Sequence, residues 1–219
     1  MRLVSLFMAV CAAGGFLQTV RGEAASLVVR ADLDCRWSVD GKPEPVLKSG
    51  EQAQVNLPPG EHHVEAVPLT GGPQWETTVT LRSPDPQQLT IPLRAAVARA
   101  EASRLGYWID PATHLMWAAV DNGFGVSWTR AAFYCESLRV AGYKDWKLPS
   151  IDDLQHIFGG AADDNGHRTV SPIKITGWEW SSSPGQEPGE QWALDFGDGG
   201  RASVVTGDSG LNRALCVRH

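Results

Sequence analysis

Short alternating stretches separated by turn signals fill residues 27–94 and constrain how this segment folds. Polar and apolar residues alternate in four stretches, 54–57, 62–67, 76–81 and 88–93, a period typical of half-buried strands. Asp40-Gly41 has the composition of a hairpin turn, because glycine accepts the positive φ that such turns need. Since the strands recur about every ten residues, we predict an all-β antiparallel sandwich over residues 27–94.

The rest of the chain follows a different pattern. Residues 95–105 are rich in alanine and suit a linker or a short helix. Ser127 is a preferred residue type for capping a helix that runs to about Ala141, and Ser150 with Asp153 has capping-box spacing at the start of a second helix. Strand-like segments separated by loops rich in Gly, Asp and Ser follow these helices. Residues 106–219 are therefore predicted to form an α+β unit.

The N-terminus and the charge balance narrow the function classes. Residues 1–24 combine a basic start, an uncharged apolar run over 3–17 and small residues near the end. This layout is typical of a secretory signal peptide, so we expect an exported protein, periplasmic or extracellular, without a membrane span after cleavage. The chain has 25 acidic and 19 basic residues and no run of Lys and Arg, which argues against nucleic acid as a partner.

Export also bears on the cysteines. Cys11 leaves with the signal peptide, and Cys35, Cys135 and Cys216 remain in a compartment that permits disulfides. Three is an odd number, so one thiol is spare or pairs between chains.

Six segments in the second half occur in an order that resembles one protein family. They are YWIDPATHLMW at 107–117, WTRAAFYCESL at 128–138, DWKLPSIDDLQ at 145–155, WEWSSS at 178–183, QWALDFGDGG at 191–200 and LNRALCVRH at 211–219. In this order they resemble the Lcl C-terminal domain family over residues 106–219. The resemblance implies a fold related to C-type lectins and to the formylglycine-generating enzyme. It also implies a Cys135–Cys216 disulfide with Cys35 as the spare thiol, and a contact between Cys35 and another chain stays open.

The turns of the first half carry a second resemblance. VDGK at 39–42 and LPPGEHHV at 57–64 are similar to the turns of a PEGA domain. The resemblance implies a small surface sandwich that serves as a spacer or adaptor in a bacterial envelope protein.

Two enzyme activities were considered from the sequence, and neither has the residues it needs. Gly207-Asp208-Ser209-Gly210 has the sequence of the nucleophile stretch in trypsin-like proteases, but only nine residues follow it and no Ala-Ala-His-Cys stretch precedes it. The formylglycine-generating enzymes hold copper with a pair of cysteines, whereas residues 173–219 contain only Cys216. We therefore interpret the chain as a non-catalytic protein.

Metal sites receive little support from the sequence. His62 and His63 are adjacent, so in a strand their side chains face opposite ways and cannot share one zinc ion. Asp195, Asp198 and Asp208 lie in oxygen-rich loops whose ligand types suit a structural calcium ion, but the EF-hand spacing is absent. That calcium ion stays open, and no other cofactor is predicted.

The tryptophans and the late loops supply the candidate ligand-binding residues. Alternation places Trp178 and Trp180 on one face of their strand, where core packing is favoured and an exposed pair that stacks on a sugar ring is the alternative. The candidates are Trp178, Trp180, Trp192, Asp198, Arg201, Asp208, Asn212 and Arg213.

These observations lead to two hypotheses of function. In the first, a lectin-like head on an exported protein binds a glycan or an envelope or extracellular protein. The net charge of −6 argues against a broad polyanion and favours a neutral glycan or a protein. In the second, the protein is a structural or assembly partner in the envelope without a ligand pocket. An exposed tryptophan pair favours the first hypothesis, and buried tryptophans favour the second.

Overall fold

Strands outnumber helices in the structure, a computed structural model that describes residues 24–82, 85–208 and 210–219. The predicted signal peptide at 1–24 lies outside the described residues except for Ala24, and Ser209 lies outside them as well. Among the helices that are described, none is long and apolar enough to cross a membrane.

Two sheets build the first half of the chain. Their strands are β1 (Ala25–Ala31), β2 (Cys35–Val39), β3 (Lys42–Pro43), β4 (Gln52–Leu57), β5 (Gly60–Pro68), β6 (Trp75–Leu81) and β7 (Gln87–Ile91). The strand orders are β4-β1-β7 and β3-β2-β5-β6. Asp40 and Gly41 both have positive φ, 50° and 72°, and join β2 to β3, which confirms the predicted hairpin turn.

One pairing differs from the predicted antiparallel sandwich. β7 lies parallel to β1, whereas β1 pairs with β4 in the antiparallel sense. Hairpins force only sequence neighbours to be antiparallel. β7 enters the first sheet from β6 in the other sheet, so no hairpin sets its direction. Apolar side chains of the two sheets, including Leu27, Trp37 and Val64, form one buried core.

A helix connects the two halves. Of the two alternatives for residues 95–105, the structure contains the helix, α1 (Leu93–Leu105). It ends at Gly106, whose φ of 80° is left-handed and whose N–H donates to the carbonyl of Ala102 at 2.8 Å. Leu93 and Ala102 are buried, so the helix is packed near both of its ends.

The second half combines two helices with three small sheets. The elements are β8 (Tyr107–Ile109), β9 (Met116–Ala118), α2 (Trp128–Ser137), α3 (Ile151–Ile157), β10 (Phe158–Ala162), β11 (Arg168–Thr169), β12 (Trp178–Pro184), β13 (Glu190–Asp195), β14 (Arg201–Val205), β15 (Asn212–Arg213) and β16 (Val217–Arg218). The strand orders are β16-β9-β8, β10-β11 and β14-β13-β12-β15.

The two predicted helices form, and the first is shorter than expected. Ser150 and Asp153 make the predicted capping box at the start of α3. α2 ends at Ser137 and does not reach Ala141. The helix ends there because Leu138 is already extended, with φ −63° and ψ 137°, and the positive φ of Ala141 and Gly142, 53° and 80°, follows only after that break.

The C-terminal segment closes the second half. β15 runs parallel to β12, and β16 pairs with β9 near the beginning of the unit. Between these two strands, Cys216 forms a disulfide with Cys135 of α2 across 81 residues of sequence. The disulfide that the family resemblance implied is therefore present, and it ties a helix to the strands at the end of the chain.

Of the two alternatives for Cys35, a spare thiol and a contact with another chain, the structure contains the spare thiol. Its side chain is fully buried in the core of the first half. Burial raises the pKa of the Cys35 thiol, and the charges of Asp34 and Asp32 raise it further. A thiol that is both buried and protonated cannot reach a second chain or react readily.

Removing the disulfide is expected to destabilise the second half. In the chain-entropy model, closing a loop of this length stabilises the fold by about 4 kcal/mol. The double variant Cys135→Ser, Cys216→Ser should therefore unfold at clearly lower urea concentration than the wild type, measured by tryptophan fluorescence. A reducing agent should lower the wild-type midpoint and leave that of the variant unchanged. An unchanged wild-type midpoint under reduction would contradict the prediction.

Cys35 should resist alkylation in the native protein. Iodoacetamide is expected to leave the Cys35 peptide unmodified under native conditions and to modify it in denaturant, because only unfolding exposes the thiol. Mass-spectrometric peptide mapping measures this. Modification of the native protein at the rate of an exposed cysteine would refute the burial argument.

Candidate functional site

The candidate tryptophans lie on both faces of the four-stranded sheet of the second half, β14-β13-β12-β15. Trp178 and Trp180 pack in the cluster that contains Cys135 and Cys216, while Trp192 packs against the other cluster, beside Leu194. Trp180 is 0% exposed, and its indole N–H donates to the carbonyl of Val126 at 2.7 Å. The alternative of an exposed Trp178–Trp180 pair is therefore wrong, because Trp180 lies in the core and only Trp178, which is half-buried, reaches the surface.

The polar candidates do not converge on one site either. Asn212 is buried. The side chain of Arg213 lies against Gly177, so close that a Cβ atom on residue 177 would be 2.9 Å from Arg213 Nε. Neither is available to a ligand in the way the sequence suggested. Arg201 is exposed and lies 3.6 Å from Asp152, at the opposite edge of the sheet from Arg213.

β14 keeps Asp208 apart from the other two aspartates proposed for calcium, Asp195 and Asp198, which both precede this strand. Asp198 precedes this five-residue strand and Asp208 follows it, so about 17 Å of extended chain separates them. The carboxylates of Asp195, Asp198 and Asp208 each accept a hydrogen bond from the backbone N–H two residues later, at 2.7, 2.7 and 2.8 Å. The predicted calcium set does not assemble, and these residues act as turn formers.

A buried carboxyl group lies on β12, a central strand of the same four-stranded sheet. Glu179 is 0% exposed and lies beside Arg213 in the register of β12 and β15. Burial raises the pKa of Glu179 well above its usual range, and the nearby charge of Asp121 raises it further, while the positive charge of Arg213 opposes the shift. Three donors from Gly123 and Thr176 converge on the Asp121 carboxylate at 2.6–2.7 Å. This network is internal and offers no surface to a ligand.

A cleft of about 480 Å³ lies between α2 and α3. We call it the α2–α3 cleft, and its lining residues are Trp128, Ala132, Glu136, Lys147, Leu148, Ser150, Asp153, Ser182 and His219. Trp128, Ala132 and Glu136 follow one another at intervals of four residues, which places them on one face of α2. Trp128 is half-buried, and its indole N–H donates to the carbonyl of Ser181 at 2.8 Å, so the ring is held in place at the cleft wall.

Backbone contacts fix the opposite wall of the cleft. The N–H of Ser182 donates to the carbonyl of Pro149 at 2.7 Å, and Lys147 exchanges two backbone hydrogen bonds with Val217. One carboxylate oxygen of Asp153, Oδ2, accepts hydrogen bonds from the backbone N–H and the hydroxyl of Ser150 at 2.8 and 2.7 Å. The side chains of Glu136 and Lys147 are exposed. The cleft thus combines an aromatic wall with acidic, basic and hydroxyl groups.

None of the cleft residues was a sequence-predicted binding residue. The sequence indicates only helix capping for Ser150 and Asp153. One sequence pattern could have indicated the α2 wall of the cleft. Trp128, Ala132 and Glu136 repeat every four residues beside the buried pair Ala131 and Cys135. The partner residues from α3, β12 and the C-terminus reach the cleft only through the tertiary fold.

An exposed apolar pair lies at the ends of two adjoining loops. Phe124 is 63% and Leu211 71% exposed. The loops that carry them are joined by hydrogen bonds from Asn122 N to Ala214 O at 3.2 Å and from Val126 N to Asn212 O at 2.8 Å. Large apolar side chains that face water on two joined loops suit a contact with another protein.

The sequence comparisons bear on the second half of the chain. The model of the Lcl C-terminal domain matches residues 106–218. No curated protein matches the sequence.

Glu179 is expected to make folding stability depend on pH. Its pKa in the folded state is raised above the unfolded value of about 4.3. Below about pH 4.3 Glu179 is protonated in both states and does not lower the free energy of unfolding. As the pH rises from there toward the folded pKa, the free energy of unfolding falls by about 1.4 kcal/mol per pH unit. Glu179→Gln removes this titration, so the variant should gain stability relative to the wild type as the pH rises from 4 to 8.

Urea unfolding across this pH range measures the difference. Glu187→Gln is the matched control, because Glu187 is exposed and has the same change of charge. A constant offset between Glu179→Gln and the wild type at all pH values would contradict the raised pKa.

Proposed function

The chain belongs to the Lcl C-terminal domain family, and we propose that it is an exported, non-catalytic binding protein whose α2–α3 cleft recognises a glycan. The observation that carries this proposal is the composition of the cleft. A fixed tryptophan ring, two carboxylates, an ammonium group and two hydroxyl groups line a single concave surface. Sugars bind to aromatic rings through their apolar faces and to polar side chains through their hydroxyls.

The charges in the cleft support a neutral or zwitterionic ligand. Glu136 and Asp153 supply negative charges to the cleft and Lys147 supplies a positive one. Such a mixed surface can pair donors and acceptors with a neutral oligosaccharide and gives no advantage to a polyanion. This agrees with the acidic net charge of the whole chain, −6.

The finer assignments of fold and location belong to the same proposal. The disulfide, the two helices and the small sheet support a C-type-lectin-like fold for residues 106–219, and the paired sheets with their turns support a PEGA-like unit for residues 27–94. The secretory layout of residues 1–24 and the presence of a disulfide support export to the periplasm or the cell exterior.

A second candidate function rests on the exposed apolar pair. Phe124 and Leu211 favour an envelope protein as the partner, because exposed apolar side chains are typical of protein–protein contact surfaces. In this alternative the protein is an assembly partner and the α2–α3 cleft is not its binding site.

Glycan-array binding tests the proposal. The purified protein should bind a restricted set of neutral glycans, with or without calcium. The double variant Glu136→Gln, Lys147→Ala should weaken binding by about 100-fold or more, because hydrogen bonds to charged groups contribute about 1.5–3 kcal/mol each. Both side chains are exposed, so the variant should remain folded, which circular dichroism can check.

Two control variants make the same types of substitution at exposed residues outside the cleft. Lys144→Ala and Glu187→Gln alter exposed residues elsewhere and should bind like the wild type. Equal binding by the cleft variant and the controls would refute the cleft as the site. Absence of any glycan binding would refute the proposed function and favour the protein partner.

A further inference from the structure

Three metal-ligating side chains meet on the outer face of the first half of the chain. His63 and Glu65 lie two residues apart on β5, so both point to the same face. Glu76 of β6 is directly opposite Glu65 in the antiparallel register. Nitrogen and oxygen ligand atoms of these three residues all lie within 4.8 Å of one another, and no other such group of three occurs in the described residues.

We propose that His63, Glu65 and Glu76 bind a divalent transition-metal ion of the zinc class. The Nε2 atom of His63 is 3.5 Å from Glu65 Oε1 and 3.8 Å from Glu76 Oε2. In a tetrahedral zinc site with bonds of about 2.0–2.2 Å, neighbouring ligand atoms are about 3.3–3.5 Å apart. The two distances from His63 therefore lie at or slightly above the ligand spacing of such a site.

The sheet holds the ligands in place before any ion binds. Seven cross-strand pairs join β5 to β6, and Val64 and Ala66 anchor β5 in the core from the opposite face. Glu65 is oriented by two further residues, since Ser38 donates to its Oε2 at 3.1 Å and Gln74 to its Oε1 at 3.3 Å. Polar partners that orient a ligating carboxylate are typical of metal sites.

The charge arrangement also favours a cation at this position. Glu65 and Glu76 are like charges directly opposite each other on neighbouring strands, a pairing that destabilises a sheet. Only the imidazole of His63 can offset that repulsion from within the cluster. A divalent ion bound between the two carboxylates would offset it whether or not His63 is protonated.

The ligand types specify which ion would bind. Imidazole with carboxylate suits zinc, copper(II) and nickel(II), whereas calcium prefers six to eight oxygen ligands. The three side chains are 37–63% exposed, so the remaining coordination positions are open to water or to a ligand from a partner. The site is separate from the α2–α3 cleft and does not depend on the proposed glycan binding.

Titration with zinc by isothermal calorimetry tests the proposal on untagged protein freed of metal with a chelator. We expect one zinc ion per chain at this site and no competition from calcium. His63→Ala and Glu76→Gln should each weaken zinc binding by at least about tenfold. Zinc should also raise the melting temperature of the wild type and not that of His63→Ala, because an ion that binds only the native state stabilises it.

Glu61→Gln is the matched control for the glutamate change. Glu61 lies on the same strand and points outward like Glu65, and zinc binding should be unchanged in this variant. His156→Ala, at an exposed histidine of α3, controls for loss of an imidazole. Absence of zinc binding, or binding by His63→Ala and Glu76→Gln equal to that of the wild type, would overturn the proposal.

Discussion

The attachment of the C-terminal segment is the constraint on which the second half of the structure depends. β15 completes the four-stranded sheet beside β12, β16 pairs with β9 at the start of the unit, and Cys216 between them is bonded to Cys135 of α2. One short stretch of chain thereby joins the first strands, a helix and the main sheet. Without it, each of these small elements would have to bury its apolar face alone, which few-stranded sheets and ten-residue helices do poorly in water.

The same attachment positions the α2–α3 cleft. Val217 holds Lys147 at the cleft wall through two backbone hydrogen bonds, and the residue that ends the chain, His219, lines the cleft directly. The disulfide fixes α2, whose Trp128 forms the opposite wall. The proposed binding surface is therefore supported by rigid elements and not by loops alone, which lowers the conformational cost of ordering it around a ligand.

The first half presents its chemistry differently, on the flat face of a sheet. Its core faces inward, and its outer face carries His63, Glu65 and Glu76 in a fixed register. An ion there would be supported by cross-strand pairing and by the hydrogen bonds from Ser38 and Gln74 to Glu65, with coordination positions left open toward solvent. The two halves thus offer two separate surfaces, an aromatic cleft and a cluster of ligating side chains, on one chain.

Local sequence was sufficient for features that depend on near neighbours. The Asp40-Gly41 turn and the Ser150–Asp153 capping box follow from the conformational preferences of a few adjacent residues, and the family resemblance implied the Cys135–Cys216 pair. Features that depend on register and on distant contacts were decided by the fold. The burial of Trp180 and the parallel direction of β7 depend on which strands become neighbours. The pairing of Glu76 with Glu65 has the same origin, because alternation along one strand does not specify which residue the next strand places opposite it.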